Sequence, residues 1–200
     1  EESKLNFFDA MQMAAGHLFF RNAILAAHRK ETILLIEDGG YLAPKLNQMC
    51  LEEMSLSQAL EFYGVRSKNE ESEFGTAFAA LSKKELDSPL ANWLGKILPG
   101  TVEHTRNGYN RLSDVIKSRG KLQFPACTIA VSNIKRNMES QEVSISILHA
   151  VESILHGLGL VFSQRRALVL GSRGAIGRNL MEDVCFYFSL ISERDSIVIF

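Results

Sequence analysis

The chain lacks three features: long hydrophobic runs, a strong net charge and a large set of cysteines. Its apolar runs, such as TILLI and ALVLG, are far shorter than the ~20 residues of a membrane-spanning helix. The formal net charge is −1, so nothing in the overall balance favours nucleic acid or an anionic membrane. Hydrophobic residues make up 46% and charged residues 22%, a composition typical of globular proteins.

The three cysteines, Cys50, Cys127 and Cys185, are far apart and show no metal-ligand spacing. Such a sparse, odd set is typical of a reducing compartment, so we predict a cytoplasmic protein with no metal site. Each cysteine is expected to be a small buried hydrophobe. The opening EESKLNFF has neither a basic leader nor an initiator methionine, so we expect a piece of a longer protein.

Helical and strand-like segments alternate along the chain. This order predicts an α/β fold with a Rossmann-like, mostly parallel sheet and flanking helices. We expect two lobes, a substrate-domain-like lobe at 1–132 and the start of a dinucleotide-binding unit at 133–200. Helices are predicted at 7–31, 44–64, 139–158 and 176–191, and strands at TILLI, CTIAVSNIK, RALVLG and SIVIF.

A glycine-rich turn follows the RALVLG strand. Gly171, Gly174 and Gly177 give a GxxGxxG spacing, close to the usual GxGxxG of dinucleotide-binding turns. One glycine makes the tight turn, one lets the backbone approach a pyrophosphate, and one lets helix and strand pack closely. The segment Gly171, Ser172, Arg173, Gly174, Ala175, Ile176 and Gly177 is therefore the predicted cofactor-binding loop.

Two questions about this turn stay open on the sequence alone. A purely structural strand–turn–helix unit would show the same glycines. The acidic residue that reads the adenosine ribose normally lies ~20 residues on, at the position of Phe200, so this unit cannot tell NAD from NADP, and NADP is not excluded.

Three earlier stretches place polar groups where predicted strands end, which is where α/β sheets bind ligands. Asp38 follows one strand, His104 lies in EHTRNG, and Lys135 and Glu139 are four residues apart on one predicted helix face. Each also has a structural reading. Asp38 would be a turn or cap residue, His104 a surface histidine, and Lys135–Glu139 a solvated ion pair.

The succession EDGGYL, EHTRNGYNRL, FPACTIAVSNIK and RALVLGSRGAIGRNL resembles the S-adenosylhomocysteine hydrolase family, in the same order, over most of residues 30–200. The resemblance implies a bound NAD that oxidises the 3′-hydroxyl of an adenosine-type substrate. The resulting ketone acidifies the C4′ proton, homocysteine is eliminated, water adds, and the cofactor returns the hydride.

The resemblance also implies residue roles. Asp38 corresponds to the family's catalytic aspartate and Lys135 to its catalytic lysine, while Glu139 stands in place of the aspartate paired with that lysine. His104 replaces a glutamate that grips the ribose hydroxyls, and a neutral imidazole accepts one hydrogen bond where a carboxylate accepts more.

Further positions bear on the cofactor. Thr105 matches the first of three threonines that contact the nicotinamide half in the family, and Arg106 and Asn107 replace the other two. Ser140 replaces a cofactor-contacting asparagine. The resemblance implies that acid, lysine and glycine turn converge in a single cleft.

The first functional hypothesis is an adenosylhomocysteinase-like, NAD-binding protein with weak or absent turnover in this chain. The alternatives are a nonenzymatic nucleotide-binding regulatory module and another NAD(P)-dependent oxidoreductase. An incomplete sheet with an exposed strand edge predicts a homo-oligomer. We expect an adenosine-type small molecule as partner, and neither nucleic acid nor a membrane.

Overall fold

The structure is a computed structural model that describes residues 6–67, 71–162, 165, 167–189 and 197–199. The chain divides into two compact units, unit 1 (Glu1–Ala130) and unit 2 (Val131–Phe200). It is a mixed α/β protein, mostly helical, with a small parallel sheet flanked by helices. The mixed α/β class is thus confirmed, whereas the two-lobed Rossmann-like arrangement stays a prediction. Within the described ranges, no helix is both long and apolar enough to cross a membrane.

Unit 1 surrounds a three-stranded parallel sheet with seven helices, as far as its described residues go. Its strands are β1 (Leu35–Glu37), β2 (Thr101–Glu103) and β3 (Ala126–Thr128), in the spatial order β1-β2-β3. Its helices are α1 (Phe7–Arg29), α2 (Ala43–Leu51), α3 (Leu56–Phe62), α4 (Glu73–Ala79), α5 (Lys83–Leu86), α6 (Leu90–Leu94) and α7 (Arg106–Arg119).

The helix predicted over 44–64 is two helices. Glu53 adopts a left-handed backbone with φ of 57°, which interrupts the helical path. Ser55 then begins α3 with a capping box, in which its hydroxyl accepts from the Gln58 N–H and the Gln58 side chain accepts from the Ser55 N–H. Local cap chemistry therefore overrides the continuous apolar pattern.

The core of unit 1 lies between the helices and one face of the sheet. Phe20, Ile24, Leu46, Leu90 and Leu94 are fully or almost fully buried in it. Residues of β1 and β2 pair in register, so that Glu37 lies opposite Glu103 at the carboxyl end of the sheet. The other face of the sheet exposes Ile36 and Cys127, because alternate strand residues point to opposite faces.

Two sequence predictions near β3 are wrong. The expectation that Cys127 is buried fails, because its neighbours Ala126 and Thr128 take the inward-facing positions of the strand. The predicted strand to Lys135 ends at Thr128 instead. Ser132 redirects the chain into a helix, since its hydroxyl accepts from the Lys135 N–H and its carbonyl from the Arg136 N–H.

Unit 2 contains a π-helical turn (Lys135–Glu139), the helices α8 (Ser140–Gly157) and α9 (Ala175–Ser189), and the strands β4 (Ala167–Val169) and β5 (Ile197–Ile199). The strands pair in parallel as a sheet of their own. Helices α8 and α9 pack against each other around Leu148 and Val184. Phe200, where the sequence suggests the ribose-reading position, lies outside the described residues.

Candidate functional site

Asp38 and His104 lie together at the carboxyl ends of β1 and β2. The His104 backbone N–H donates to the Glu37 carbonyl at 3.0 Å, which continues the parallel pairing by one residue. The Asp38 Oδ1 and His104 Nδ1 atoms are 3.7 Å apart, and both side chains are exposed to solvent. The parallel register therefore brings together two of the predicted catalytic residues, at a distance suited to an ion pair when His104 is protonated.

The neighbouring residue Glu103 has a buried carboxylate. It accepts hydrogen bonds from the backbone N–H groups of Gly39, Gly40 and Thr105 and from the Thr105 hydroxyl, at 2.7–3.2 Å. Burial by itself raises the pKa of Glu103, but these hydrogen bonds outweigh it and hold the pKa below its ordinary value. Glu103 thus stays charged and ties the Gly39–Gly40 turn to the start of α7.

Glu37 behaves in the opposite way. Burial, together with the nearby charge of Glu103 and a hydrogen bond to it, raises the pKa of Glu37 to about 7. The N–H groups of Leu42 and Ala43 donate to the Glu37 carboxyl at 3.0–3.2 Å and oppose that rise. Since Glu103 holds the charge, Glu37 binds a proton readily near neutrality.

Two glycines allow these loops to meet. A Cβ on Gly40 would lie 2.6 Å from the Gly108 Cα, and a Cβ on Gly108 would lie 1.9 Å from the Glu103 carboxyl carbon. Gly39 and Gly40 also have positive φ values, 128° and 64°. The glycines of EDGGYL and EHTRNG therefore serve close packing around Glu103.

The start of α7 carries the three residues predicted to contact the nicotinamide. Thr105 is the N-cap, and its hydroxyl donates to Glu103 and accepts from the Gly108 N–H. Arg106 and Asn107 follow in the first turn and are exposed. The Arg106 guanidinium lies 5.1 Å from the centre of the Tyr109 ring.

In unit 2, the predicted Lys135–Glu139 pair forms within the π-helical turn. The Lys135 Nζ lies 3.4 Å from the Glu139 Oε1, and the Lys135 side chain is only 20% exposed. π turns are rare and occur frequently at functional sites. The structure thus places the predicted catalytic lysine next to Glu139, the carboxylate that shares its predicted helix face.

The glycine turn has the backbone geometry of a strand-to-helix junction. Gly171 has φ of 88°, and its carbonyl accepts from the Gly174 N–H at 3.0 Å. A Cβ on Gly177 would lie 2.2 Å from the Gly171 carbonyl oxygen, so Gly177 is required by packing. A Cβ on Gly174 would meet only that oxygen, at 3.4 Å, so the fold itself leaves room there. Ser172, Ala175 and Ile176 complete the predicted loop, and Ala175 begins α9.

A cavity of about 460 Å³ opens beside this turn. Its basic lining joins the π turn, the glycine turn and the first turns of α9, since guanidinium groups come from all three. The lining residues are Arg136, Asn137, Arg173, Ala175, Arg178 and Asn179.

Ser140 fixes the wall of this cavity. Its side chain is buried, and its hydroxyl donates to the Arg136 carbonyl and accepts from the Asn179 side chain at 2.8 Å. The Ser140 hydroxyl thereby connects the π turn to α9. Ser140 contacts two cavity-lining residues, and sequence reasoning named neither.

Sequence reasoning placed Glu103 among the polar groups at the end of a strand but gave it no role, and it did not name Glu37 or Arg136. A charged residue at the end of an otherwise apolar strand is a visible signal for the two glutamates, since it implies a specific partner. Arg136 carries no comparable signal, because only the π turn directs it to the glycine turn. Across the residues that the structure describes, no group of three or more His, Cys, Asp or Glu side chains could hold a metal ion.

The predicted site residues fall into two groups. Unit 1 holds Asp38, His104, Thr105, Arg106 and Asn107 around the ends of β1 and β2. Unit 2 holds Lys135, Glu139, Ser140 and the 171–177 turn. Compared with protein-family models, with curated proteins and with solved structures, the chain matches none of them.

Proposed function

We propose that unit 2 binds a nicotinamide dinucleotide, with the pyrophosphate over the glycine turn, in an adenosylhomocysteinase-like protein. The observation that carries this proposal is that an added Cβ at Gly174 would contact only the Gly171 carbonyl oxygen, at 3.4 Å, beside an arginine-lined cavity. Backbone N–H groups at the start of a helix and guanidinium groups both favour phosphate oxygens. The Rossmann-like arrangement and the family membership are parts of the same proposal.

Substitution of Gly174 tests the cofactor site. Gly174→Asp adds a side chain and a negative charge where the pyrophosphate would approach, while the fold leaves room for the Cβ. A dinucleotide at 100 times its Kd stabilises a protein by about 2.7 kcal/mol, so wild type should melt at a clearly higher temperature with ligand. Gly174→Asp should abolish that shift.

Gly157→Asp is the matched control, because Gly157 is exposed on α8 and an added Cβ meets nothing within 4 Å. It should keep the full ligand-induced shift. Equal shifts in wild type and Gly174→Asp would place the ligand elsewhere, and the proposal would then be abandoned.

We further propose that this chain does not turn over S-adenosylhomocysteine. His104 occupies the position where the family grips the ribose with a carboxylate, and the imidazole offers fewer acceptors. The presence of Asp38, Lys135 and Glu139 supports descent from a catalytic site, since each retains the required acid or base chemistry. NAD-dependent release of homocysteine, measured with a thiol reagent, would refute this proposal.

A nonenzymatic nucleotide-binding module is the second candidate, favoured by the same substitution at His104. Lys135→Ala separates the two readings. If turnover is found, this variant should remove it while leaving dinucleotide binding in place. If Lys135→Ala leaves the turnover unchanged, Lys135 is not the catalytic lysine.

A further inference from the structure

Another cavity, of about 600 Å³, belongs to unit 1 alone. Side chains from α1, from the segment after α3 and from the start of α4 line it, and three of them are basic. Its lining includes His17, Arg21, Arg66, Ser67, Ser72 and Phe74. None of these residues was predicted to act in catalysis or to hold the cofactor, so the cavity is a site of its own.

Arg21 and Arg66 bring two guanidinium groups to this cavity. Arg21 is half-buried and Arg66 is exposed. Within the ranges that the structure describes, neither group is in a salt bridge and no carboxylate lines the cavity. Glu73, which precedes Phe74 on α4, is paired with Arg29 instead. A ligand here therefore meets two positive charges that the described part of the protein does not neutralise.

The fold holds two of the basic groups in place. The Arg21 guanidinium carbon lies 4.2 Å from the centre of the buried Phe74 ring, and this cation–π contact leaves the N–H groups able to donate to a ligand. His17 lies one turn before Arg21 on α1, and its Nδ1 is 3.1 Å from the Tyr63 carbonyl oxygen. A carbonyl only accepts, so Nδ1 donates and Nε2 is the ring nitrogen left for a ligand. Donors that are already ordered lower the entropy cost of binding.

Two guanidinium groups match a phosphate monoester better than a carboxylate. A phosphate monoester carries a charge of about −1.5 to −2 near pH 7 and three strong acceptor oxygens. A carboxylate has a single charge and two oxygens. Planar guanidinium groups bind phosphate oxygens through pairs of parallel N–H bonds. The cavity is also of the size that small-molecule sites have, which a bare phosphate ion would not fill.

We propose that this cavity of unit 1 binds a small molecule through a phosphate monoester group. Arg21 and Arg66 bind the phosphate oxygens, and the Nε2 atom of His17 provides an additional contact. The inference goes beyond the proposed function, because it concerns a different cavity in the other unit and a different ligand.

Titration calorimetry of the 200-residue chain with phenyl phosphate, a simple phosphate monoester, tests the inference. Arg21→Gln and Arg66→Gln should each weaken binding about tenfold or more, since each removes charge-assisted hydrogen bonds. Arg66 is exposed, so Arg66→Gln should leave the far-UV circular dichroism spectrum unchanged. Benzoate, which has a similar ring and a single charge, should bind more weakly than phenyl phosphate. Benzoate that binds as tightly would overturn the assignment to a phosphate.

Arg111→Gln is the matched control. Arg111 is an exposed arginine of unit 1 whose guanidinium lies 3.5 Å from the centre of the Phe8 ring, but it does not line the cavity. Its substitution removes the same charge and the same kind of ring contact, and it should leave the affinity unchanged. Absence of binding at millimolar phenyl phosphate would overturn the inference. So would wild-type affinity and stoichiometry in both Arg21→Gln and Arg66→Gln, and loss of that binding in Gly174→Asp would then place the phosphate in unit 2.

Discussion

Unit 1 and unit 2 bury apolar side chains to very different extents. In the described residues, one cluster of 21 buried residues fills unit 1, from Phe19 to Phe124. The corresponding cluster of unit 2 has two, Leu148 and Val184, while Ile154, Leu158 and Phe186 are more than 60% exposed. Apolar burial is the main favourable contribution to folding, so the described part of unit 1 has a larger internal source of stability than the described part of unit 2.

The candidate sites of the two units also differ in how far the protein itself provides partners for their charged groups. Unit 1 places acidic groups at a turn, and four protein hydrogen bonds reach the buried Glu103 carboxylate. Unit 2 surrounds an open cavity with exposed arginines. The site of unit 1 is completed by folding, whereas the cations of unit 2 would gain their partners from a ligand.

The largest effect is expected from Gly108→Ala in unit 1. The new Cβ would overlap the Glu103 carboxyl carbon at 1.9 Å, and four hydrogen bonds hold that carboxylate in place. We expect a loss of about 3 to 5 kcal/mol in the free energy of unfolding, measured by urea titration. The control Gly157→Ala in unit 2 has open space and should change stability little.

A leucine deletion in each core compares the units directly. Leu46→Ala removes a fully buried side chain from the large cluster and should cost about 3 kcal/mol. Trp93, the single tryptophan, is buried in the same cluster and reports this unfolding by fluorescence. Leu148→Ala in unit 2 should cost less, measured by far-UV circular dichroism, because fewer buried neighbours surround it. An equal cost would contradict the comparison.

The third effect is a pH dependence that belongs to unit 1. The pKa of Glu37 rises from 4.5 to about 7 on folding, so the folded state binds an extra proton between these values. Its contribution to stability is fully present below pH 4.5 and is lost as the pH rises through about 7. Glu37→Gln keeps an acceptor for the Leu42 and Ala43 N–H groups but cannot ionise.

Relative to wild type, Glu37→Gln should therefore gain on the order of 2 kcal/mol between pH 5 and pH 8. Urea unfolding at several pH values measures this difference. Glu61→Gln, an exposed glutamate of α3, is the control and should show a flat difference. The opposite slope would mean that Glu37 is charged in the folded protein.

The smallest effect is expected from Ser140→Ala in unit 2. This change removes the hydroxyl that joins Arg136 to Asn179 and should cost about 1 kcal/mol of stability. Ser146→Ala on the same helix removes a similar bond to a carbonyl four residues back, but at an exposed position. It should cost less, as thermal unfolding of both variants would show. Equal costs would mean that Ser140 does not hold the cavity wall.

Local patterns predicted much of the architecture. The structure has helices α1 and α8, the predicted short strands and the glycine turn near their predicted positions. Sequence patterns predict these elements because their formation depends mainly on residues adjacent in the chain. The predicted boundaries of helices and strands are wrong at Ser55 and Ser132, where a hydrogen bond from the backbone to a serine hydroxyl determines where helical structure begins. The family resemblance, NAD binding and the homo-oligomer stay predictions.

The amino-acid sequence by itself determined the alternation of helices and strands, the tight glycine turns, and the polar residues at the ends of strands. Only the tertiary structure decided that Glu103 holds its charge while the pKa of Glu37 rises, and that Arg136 joins Arg173 and Arg178 at one cavity. The physical reason is that pKa values and charge clusters depend on burial and on partners distant along the chain, whereas helix and turn formation depend on adjacent residues.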